Sequence, residues 1–128
     1  MKQVTLKSIV SDQALALSTA QSIGTALDIM AEYAISSVVI VDEDKRPQGI
    51  FTEHDALRLV AESVNVEEPL SSVMTLTPFC VEENVYLHDA YMLMEEKGFR
   101  HLVVIDRNGA FVGVVSEGDF LRHIGFEQ

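Results

Sequence analysis

The sequence predicts an α+β fold made of two copies of one β-α-β-β-α unit, residues 1–64 and 65–128. Three observations predict it. First, sliding the chain by 64 positions without a gap superposes Leu6 on Leu70, Ala26 on Ala90, Met30 on Met94, Val39 on Val103, Asp42 on Asp106, Asp55 on Asp119 and Arg58 on Arg122, among others. Chance would give about four identities over this length at residue frequencies of roughly 7%, so duplication is the simplest account. Second, short β-branched runs alternate with segments whose apolar residues recur at three and four, the periods of buried strands and one-faced helices. Third, Gly49-Ile50-Phe51-Thr52-Glu53-His54-Asp55 returns as Gly113-Val114-Val115-Ser116-Glu117-Gly118-Asp119. Each copy is an apolar strand running into a helix, with a hydroxyl residue at the junction and aspartate three positions on.

In chain order, Leu6, Ile9 and Val10 sit at helical spacing and predict a short helical turn within residues 1–12. Leu15 to Leu17 reads as a brief strand, and Ser22 as the N-cap of a helix over Ile23–Tyr33. Its face of Ile23, Ala26, Leu27, Met30, Ala31 and Ala34 is core, with Met30 a packing residue. The run Val38–Val41 is too short for a helix and predicts a strand buried on both faces. A charged turn over Asp42–Pro47 leads to the strand of Gly49-Ile50-Phe51. Thr52 then caps a helix over Glu53–Ala61, with Ala56, Leu57, Val60 and Ala61 expected inward. Glu62–Pro69 is an acidic linker. The second copy predicts a strand over Phe79–Val81, a helix over Leu87–Lys97, strands over Leu102–Ile105 and Phe111–Val115 joined at Arg107-Asn108-Gly109, and a helix over Glu117–Ile124.

With 128 residues, the chain has room for one compact unit or two small interlocked ones. Its 48% hydrophobic content suits repeats that bury faces against each other and against a dimer partner. The formal charge of −11 opposes attraction to nucleic acid or to an anionic membrane. No apolar run approaches the roughly 20 residues of a membrane span, and the N-terminal stretch lacks the apolar core of a secretion signal, which predicts a cytoplasmic protein. Cys80, a lone cysteine in an apolar strand pattern, reads as a small buried hydrophobe.

Enzyme chemistry finds no residues to carry it. The sequence offers no Gly-rich phosphate loop with lysine, no metal-spaced Cys/His set and no nucleophile beside a local base. His54, His88, His101 and His123 occupy unlike repeat positions, so neither catalytic residues nor metal ligands are predicted.

The junctions admit two readings. Thr52 with Asp55, and Ser116 with Asp119, have the spacing of a capping box and make good helix starts on that ground alone. The same groups suit a nucleotide: a helix N-terminus attracts phosphate, a hydroxyl adds a donor, and an aspartate accepts from ribose hydroxyls.

Across roughly residues 5–125, the two junction motifs and the order of all the elements resemble a tandem pair of cystathionine-β-synthase (CBS) domains, a Bateman module. The resemblance implies two sheets packed about a pseudo-two-fold axis, pairing of modules into homodimers, and adenosine-containing ligands such as AMP, ADP, ATP or S-adenosylmethionine in two clefts between the repeats. No cofactor is required; the ligand regulates an attached or partner effector. Carried over residue by residue, the ribose-binding aspartates fall on Asp55 and Asp119, and the phosphate-side hydroxyls on Thr52 and Ser116. The residues lining the clefts before the second strand fall on Ile35, Ser36 and Ser37 in one site and on Phe99, Arg100 and His101 in the other. Leu17 and Val81 are walls of the base pocket or, equally, strand core.

Arg100 and His101 can supply cationic donors to a phosphate, which the Ser36-Ser37 site lacks. Unequal sites are therefore expected, unless those two residues are merely solvated at a strand start. Arg58 and Arg122 lie one turn beyond the aspartates, placed for a helical salt bridge or a phosphate contact. The competing reading is a ligand-free dimerisation scaffold within a larger signalling or transport protein. Phe126, after His123-Ile124-Gly125, reads as the start of an apolar segment that continues, and the sequence suits either a stand-alone protein or the regulatory part of a longer one.

Overall fold

Two hydrophobic cores form, one in each of the compact units into which the chain divides: Leu15–Pro78, and Met1–Ala14 together with Phe79–Gln128. The computed structural model describes residues 4–10, 15–76 and 79–127, with side chains described as far as residue 123.

In the unit Leu15–Pro78, β1 (Ala16–Ser18), α1 (Ile23–Tyr33), β2 (Ser37–Val41), β3 (Pro47–Thr52), α2 (Glu53–Ala61) and β4 (Thr75–Leu76) follow one another. The sheet order is β1-β2-β3-β4, with β1 parallel to β2 and the other pairs antiparallel. A parallel pair requires a crossover, which α1 supplies. In the other unit β5 (Cys80–Glu82), α3 (Leu87–Lys97), β6 (His101–Ile105), β7 (Phe111–Ser116) and α4 (Glu117–Glu127) repeat the pattern, with sheet order β5-β6-β7 and the same strand senses. The helices α1, α2 and α3 have the bounds that the apolar spacing predicts. Ser22 caps α1 through its Oγ, which accepts from the Thr25 N–H at 3.1 Å. Val38, Val39 and Ile40 are all fully buried, so β2 is covered on both faces as its unbroken β-branched run requires.

The two cores use the same repeat positions at eight of their nine buried residues, from Leu6/Leu70 through Met30/Met94 to Phe51/Val115. The exception lies in the second helix of each unit. In one unit the strand brings Phe51 and the following helix Ala56, which packs partly buried beside Leu59; in the other the strand brings Val115 and the helix Phe120. Each core thus keeps one fully buried aromatic ring, Phe51 from the sheet in one unit and Phe120 from the helix in the other.

The compact units cut the chain differently from the sequence repeats. The 3-10 turn Leu6–Ser8 packs in the unit of the second repeat, where the Leu6 N–H donates to the Val85 carbonyl at 2.9 Å and the Lys7 N–H to that of Glu83 at 2.9 Å. Its counterpart Leu70–Ser72 does the same in the first repeat's unit, with the Leu70 N–H on the Gln21 carbonyl at 2.8 Å. Leu6 and Leu70 are both fully buried. Each repeat's leading turn therefore completes the core of the other repeat.

The expected buried faces are corrected on two helices. On α1, Ala31 and Ala34 were expected in the core face but are exposed, with Ala34 standing beyond the helix as its left-handed C-cap. Leu57, Val60 and Ala61 were expected inward on α2, but all three are exposed, and the buried residues of that helix are Asp55 and Leu59. The cap is the cause. Drawing Asp55 back onto Thr52 fixes the rotation of the helix, and at about 100° per residue Leu57 and Val60 then lie on its far side. The edge strand β4 is a second departure, since nothing in the apolar spacing announces it.

Gly49 is the position where β4 constrains β3. A Cβ there would lie 2.7 Å from the Met74 Sδ and 2.9 Å from the Thr75 carbonyl oxygen. The thioether can move, but the Thr75 backbone belongs to the β3/β4 ladder. Gly49→Ala is expected to cost about 1–3 kcal/mol in a urea titration. Among the described residues, no helix is long and apolar enough to cross a membrane.

Candidate functional site

Each strand-to-helix junction closes on itself in the same way. The Thr52 Oγ1 accepts from the Asp55 N–H at 3.2 Å, while the Asp55 Oδ2 accepts from the Thr52 N–H at 2.9 Å and from its hydroxyl at 3.1 Å. The second junction repeats this, with Asp119 Oδ2 accepting from the Ser116 N–H at 2.8 Å and from its hydroxyl at 3.1 Å. A capping box thus satisfies helix donors that have no intrahelical partner. Both lone pairs of Oδ2 are consumed in making it.

The other carboxylate oxygen points away from the cap. Asp55 Oδ1 faces the Arg58 guanidinium across 3.6 Å, and Asp119 Oδ1 accepts directly from Arg122 Nη2. The side chains differ in exposure: Asp55 is 8% exposed and Asp119 28%. Each junction consequently leaves one carboxylate oxygen outside its cap, facing an arginine.

Backbone pairing draws the preceding loops to these junctions. The Ser36 carbonyl accepts from the Glu53 N–H at 2.9 Å, and the Arg100 carbonyl from the Glu117 N–H at 3.2 Å. Ser37 stands opposite Thr52 in the β2/β3 register, as His101 stands opposite Ser116 in β6/β7. The structure therefore gathers Ser36, Ser37, Thr52 and Asp55 in one unit, and Arg100, His101, Ser116 and Asp119 in the other. These bonds and the caps together occupy the first and third N–H groups of each helix.

The remaining predicted residues sit differently. Leu17 and Val81 are each 6% exposed and belong to the two hydrophobic cores, and Ile35 packs half-buried against the first of them. Phe99 is exposed and tilts against Phe79 with ring centroids 5.4 Å apart, and the Lys97 Nζ stands 5.4 Å over the Phe79 ring. Phe99 and Arg100 open into a cavity of about 200 Å³ beside Gly98, which also meets Tyr91, Met94, Glu95 and Glu117. That is below the roughly 300 Å³ at which sites for whole small molecules begin, and suits a fragment of one. Its two carboxylates outnumber its single guanidinium, so its walls do not favour a bare phosphate.

Sequence reasoning overlooked Tyr91 and Glu95 here. They are four apart on α3, and the Tyr91 hydroxyl donates to Glu95 Oε1 at 2.7 Å. That hydrogen bond, first among the causes, raises the Tyr91 pKa. A signal existed: the first repeat has Leu27 and Ala31 at the matching positions. Burial pushes the Cys80 thiol up as well, which keeps it from being a ready nucleophile at neutral pH. Among the described residues, no group of three or more His, Cys, Asp or Glu side chains could hold a metal ion.

Comparison with known proteins gives a consistent picture. The pattern that defines the CBS domain matches twice, at residues 6–62 and 70–125. An uncharacterised protein of Methanopyrus kandleri is 38% identical over 103 residues, which cover 77% of this chain and 53% of that one. The chain spans between about half and three fifths of the length of this relative and of a second, from Acidianus ambivalens. A CBS domain protein of Pyrobaculum aerophilum complexed with AMP superposes with a TM-score of 0.86 at 27% identity, covering 97% of both chains. The CBS domain pair of protein MJ0100, in complex with 5′-methylthioadenosine and S-adenosyl-L-methionine, superposes at 0.87 with 23% identity over 98% of each chain, and shows the shared fold.

Proposed function

The chain belongs to the CBS domain family, and on that premise we propose that it is a regulatory module that binds an adenine nucleotide at its strand-to-helix junctions and carries no catalysis of its own. One observation carries the reading: in both repeats an aspartate is held by its cap with one carboxylate oxygen committed and the other turned away from the cap towards an arginine. A helix cap alone uses Oδ2. The remaining Oδ1 is an acceptor suited to a ribose hydroxyl, fixed in place before any ligand arrives, which lowers the ordering cost of binding. AMP is the favoured ligand, because the relative of Pyrobaculum aerophilum that shares this fold at 27% identity is complexed with it.

The module works on an attached or partner effector, and as a homodimer. Leu57 and Val60 on α2 of one unit support the dimer, at 69% and 71% exposed, as does Leu121 on α4 of the other unit at 68%: each is an apolar side chain that a second copy can cover. The same residues favour the second reading, a scaffold that dimerises without a ligand.

Thermal unfolding separates the two. AMP at 100 times its Kd adds about 2.7 kcal/mol for one site and is expected to raise the midpoint by several degrees. A midpoint unmoved by millimolar AMP, ADP, ATP and S-adenosylmethionine leaves the scaffold.

A further inference from the structure

The arginine one turn beyond each aspartate bears on how ribose is received. Oδ2 of Asp119 already accepts two hydrogen bonds, from the Ser116 N–H and hydroxyl, which fill its two lone pairs. Both hydroxyls of a ribose diol must then be accepted by Oδ1, whose two lone pairs would suffice if both were available. One is not, because Arg122 Nη2 donates to it. At the first junction Arg58 Nη2 stands 3.6 Å from Asp55 Oδ1, close enough for an ion pair but without a hydrogen bond. Both guanidinium groups are well exposed and free to swing into water, at 51% for Arg58 and 68% for Arg122.

We infer that Arg122, and more weakly Arg58, competes with ribose for the carboxylate oxygen outside the cap, so that this side chain sets both affinity for a nucleoside and preference for ribose over deoxyribose. The inference rests on the reading of the junctions as nucleoside sites. With Arg122 in place, Asp119 takes one sugar hydroxyl and distinguishes ribose poorly from 2′-deoxyribose. With the guanidinium displaced, it takes both. An exposed pair of this kind is worth little, so the competition is mild and readily reversed by a ligand.

Adenosine is the probe, since it has the diol and no phosphate that would respond to lost positive charge. Calorimetric titration of adenosine and 2′-deoxyadenosine into the wild type, Arg122→Met and Arg58→Met tests the inference. Arg122→Met is expected to tighten adenosine about two- to fivefold and to leave 2′-deoxyadenosine nearly unchanged, thereby widening the preference between them. Arg58→Met is expected to do less. Adenosine binding that is unchanged or weaker in Arg122→Met overturns the inference while leaving the nucleoside site standing. Equal tightening of both nucleosides also overturns it, because a general electrostatic effect would not sense the diol. Adenosine and AMP that bind neither the wild type nor the variants refute the site itself, and the inference with it. Thermal midpoints of the two variants within a few degrees of wild type exclude misfolding as the cause.

Discussion

Leu70→Ala is expected to lower stability by about 3 kcal/mol, and Leu6→Ala by a similar amount, which moves the thermal midpoint by roughly 10 °C. Both residues are fully buried, although each sits in a short turn remote in sequence from the core it fills. Truncation would leave a cavity lined by Leu17, Ile23 and their neighbours in one unit, or by Val81 and Leu87 in the other. Leu57→Ala, at an exposed position on α2, is the control and is expected to stay within about 0.5 kcal/mol at low protein concentration. The exchange of turns has a consequence for fragments. A piece ending at residue 64 loses Leu70 and keeps Leu6, whose core lies in the other unit; a piece spanning 15–78 keeps the first core whole. Circular dichroism is expected to show cooperative unfolding for the second piece and little helix in the first. Equal behaviour of the two pieces would contradict the exchange.

Asp119→Ala is expected to remove most of the rise in midpoint that AMP produces, and Asp55→Ala much less. Arg100 is the reason for the asymmetry. Its carbonyl is bonded to the first N–H of α4, which keeps a guanidinium-bearing residue beside the Ser116 junction, whereas the equivalent bond in the first repeat is made by Ser36. A guanidinium fork can donate two hydrogen bonds to a nucleotide phosphate where a serine cannot, and it offsets the charge of Glu95 and Glu117, which line the same cavity. Each variant also loses its capping box, at a cost of about 1 kcal/mol, so the unliganded midpoints fall together and the increment on adding AMP is the informative quantity. An increment lost equally in the two variants would contradict unequal sites, and one retained in both would contradict the role of either aspartate.

The helices were the most legible part of the chain. In α1 a capping serine, a one-faced apolar stripe and a polar flank agree, and its bounds follow from the sequence. α2 shows the limit of that reading. Its apolar residues form two stripes, and the choice between them was made by Asp55, a polar residue that becomes buried because its carboxylate is satisfied at the cap. Hydrophobicity alone favoured the wrong stripe. The exchanged turns escaped for a different reason: a repeat read by self-alignment assigns Leu6 to its sequence neighbours, while the hydrogen bonds to Val85 and Glu83 that place it are long-range. β4 is two residues long, too short for alternation to register. At the junctions the residue types were legible from spacing, but the division of labour between Oδ1 and Oδ2 was not. It depends on a rotamer and on an arginine one turn away.

Calorimetric titration of AMP into the wild type and into the double variant Asp55→Ala/Asp119→Ala tests the central claim most directly. The claim predicts a saturable isotherm in the wild type and none in the double variant, with the far-ultraviolet circular dichroism of the two superimposable. An isotherm that survives in the double variant would contradict it, as would a wild type that takes up no AMP.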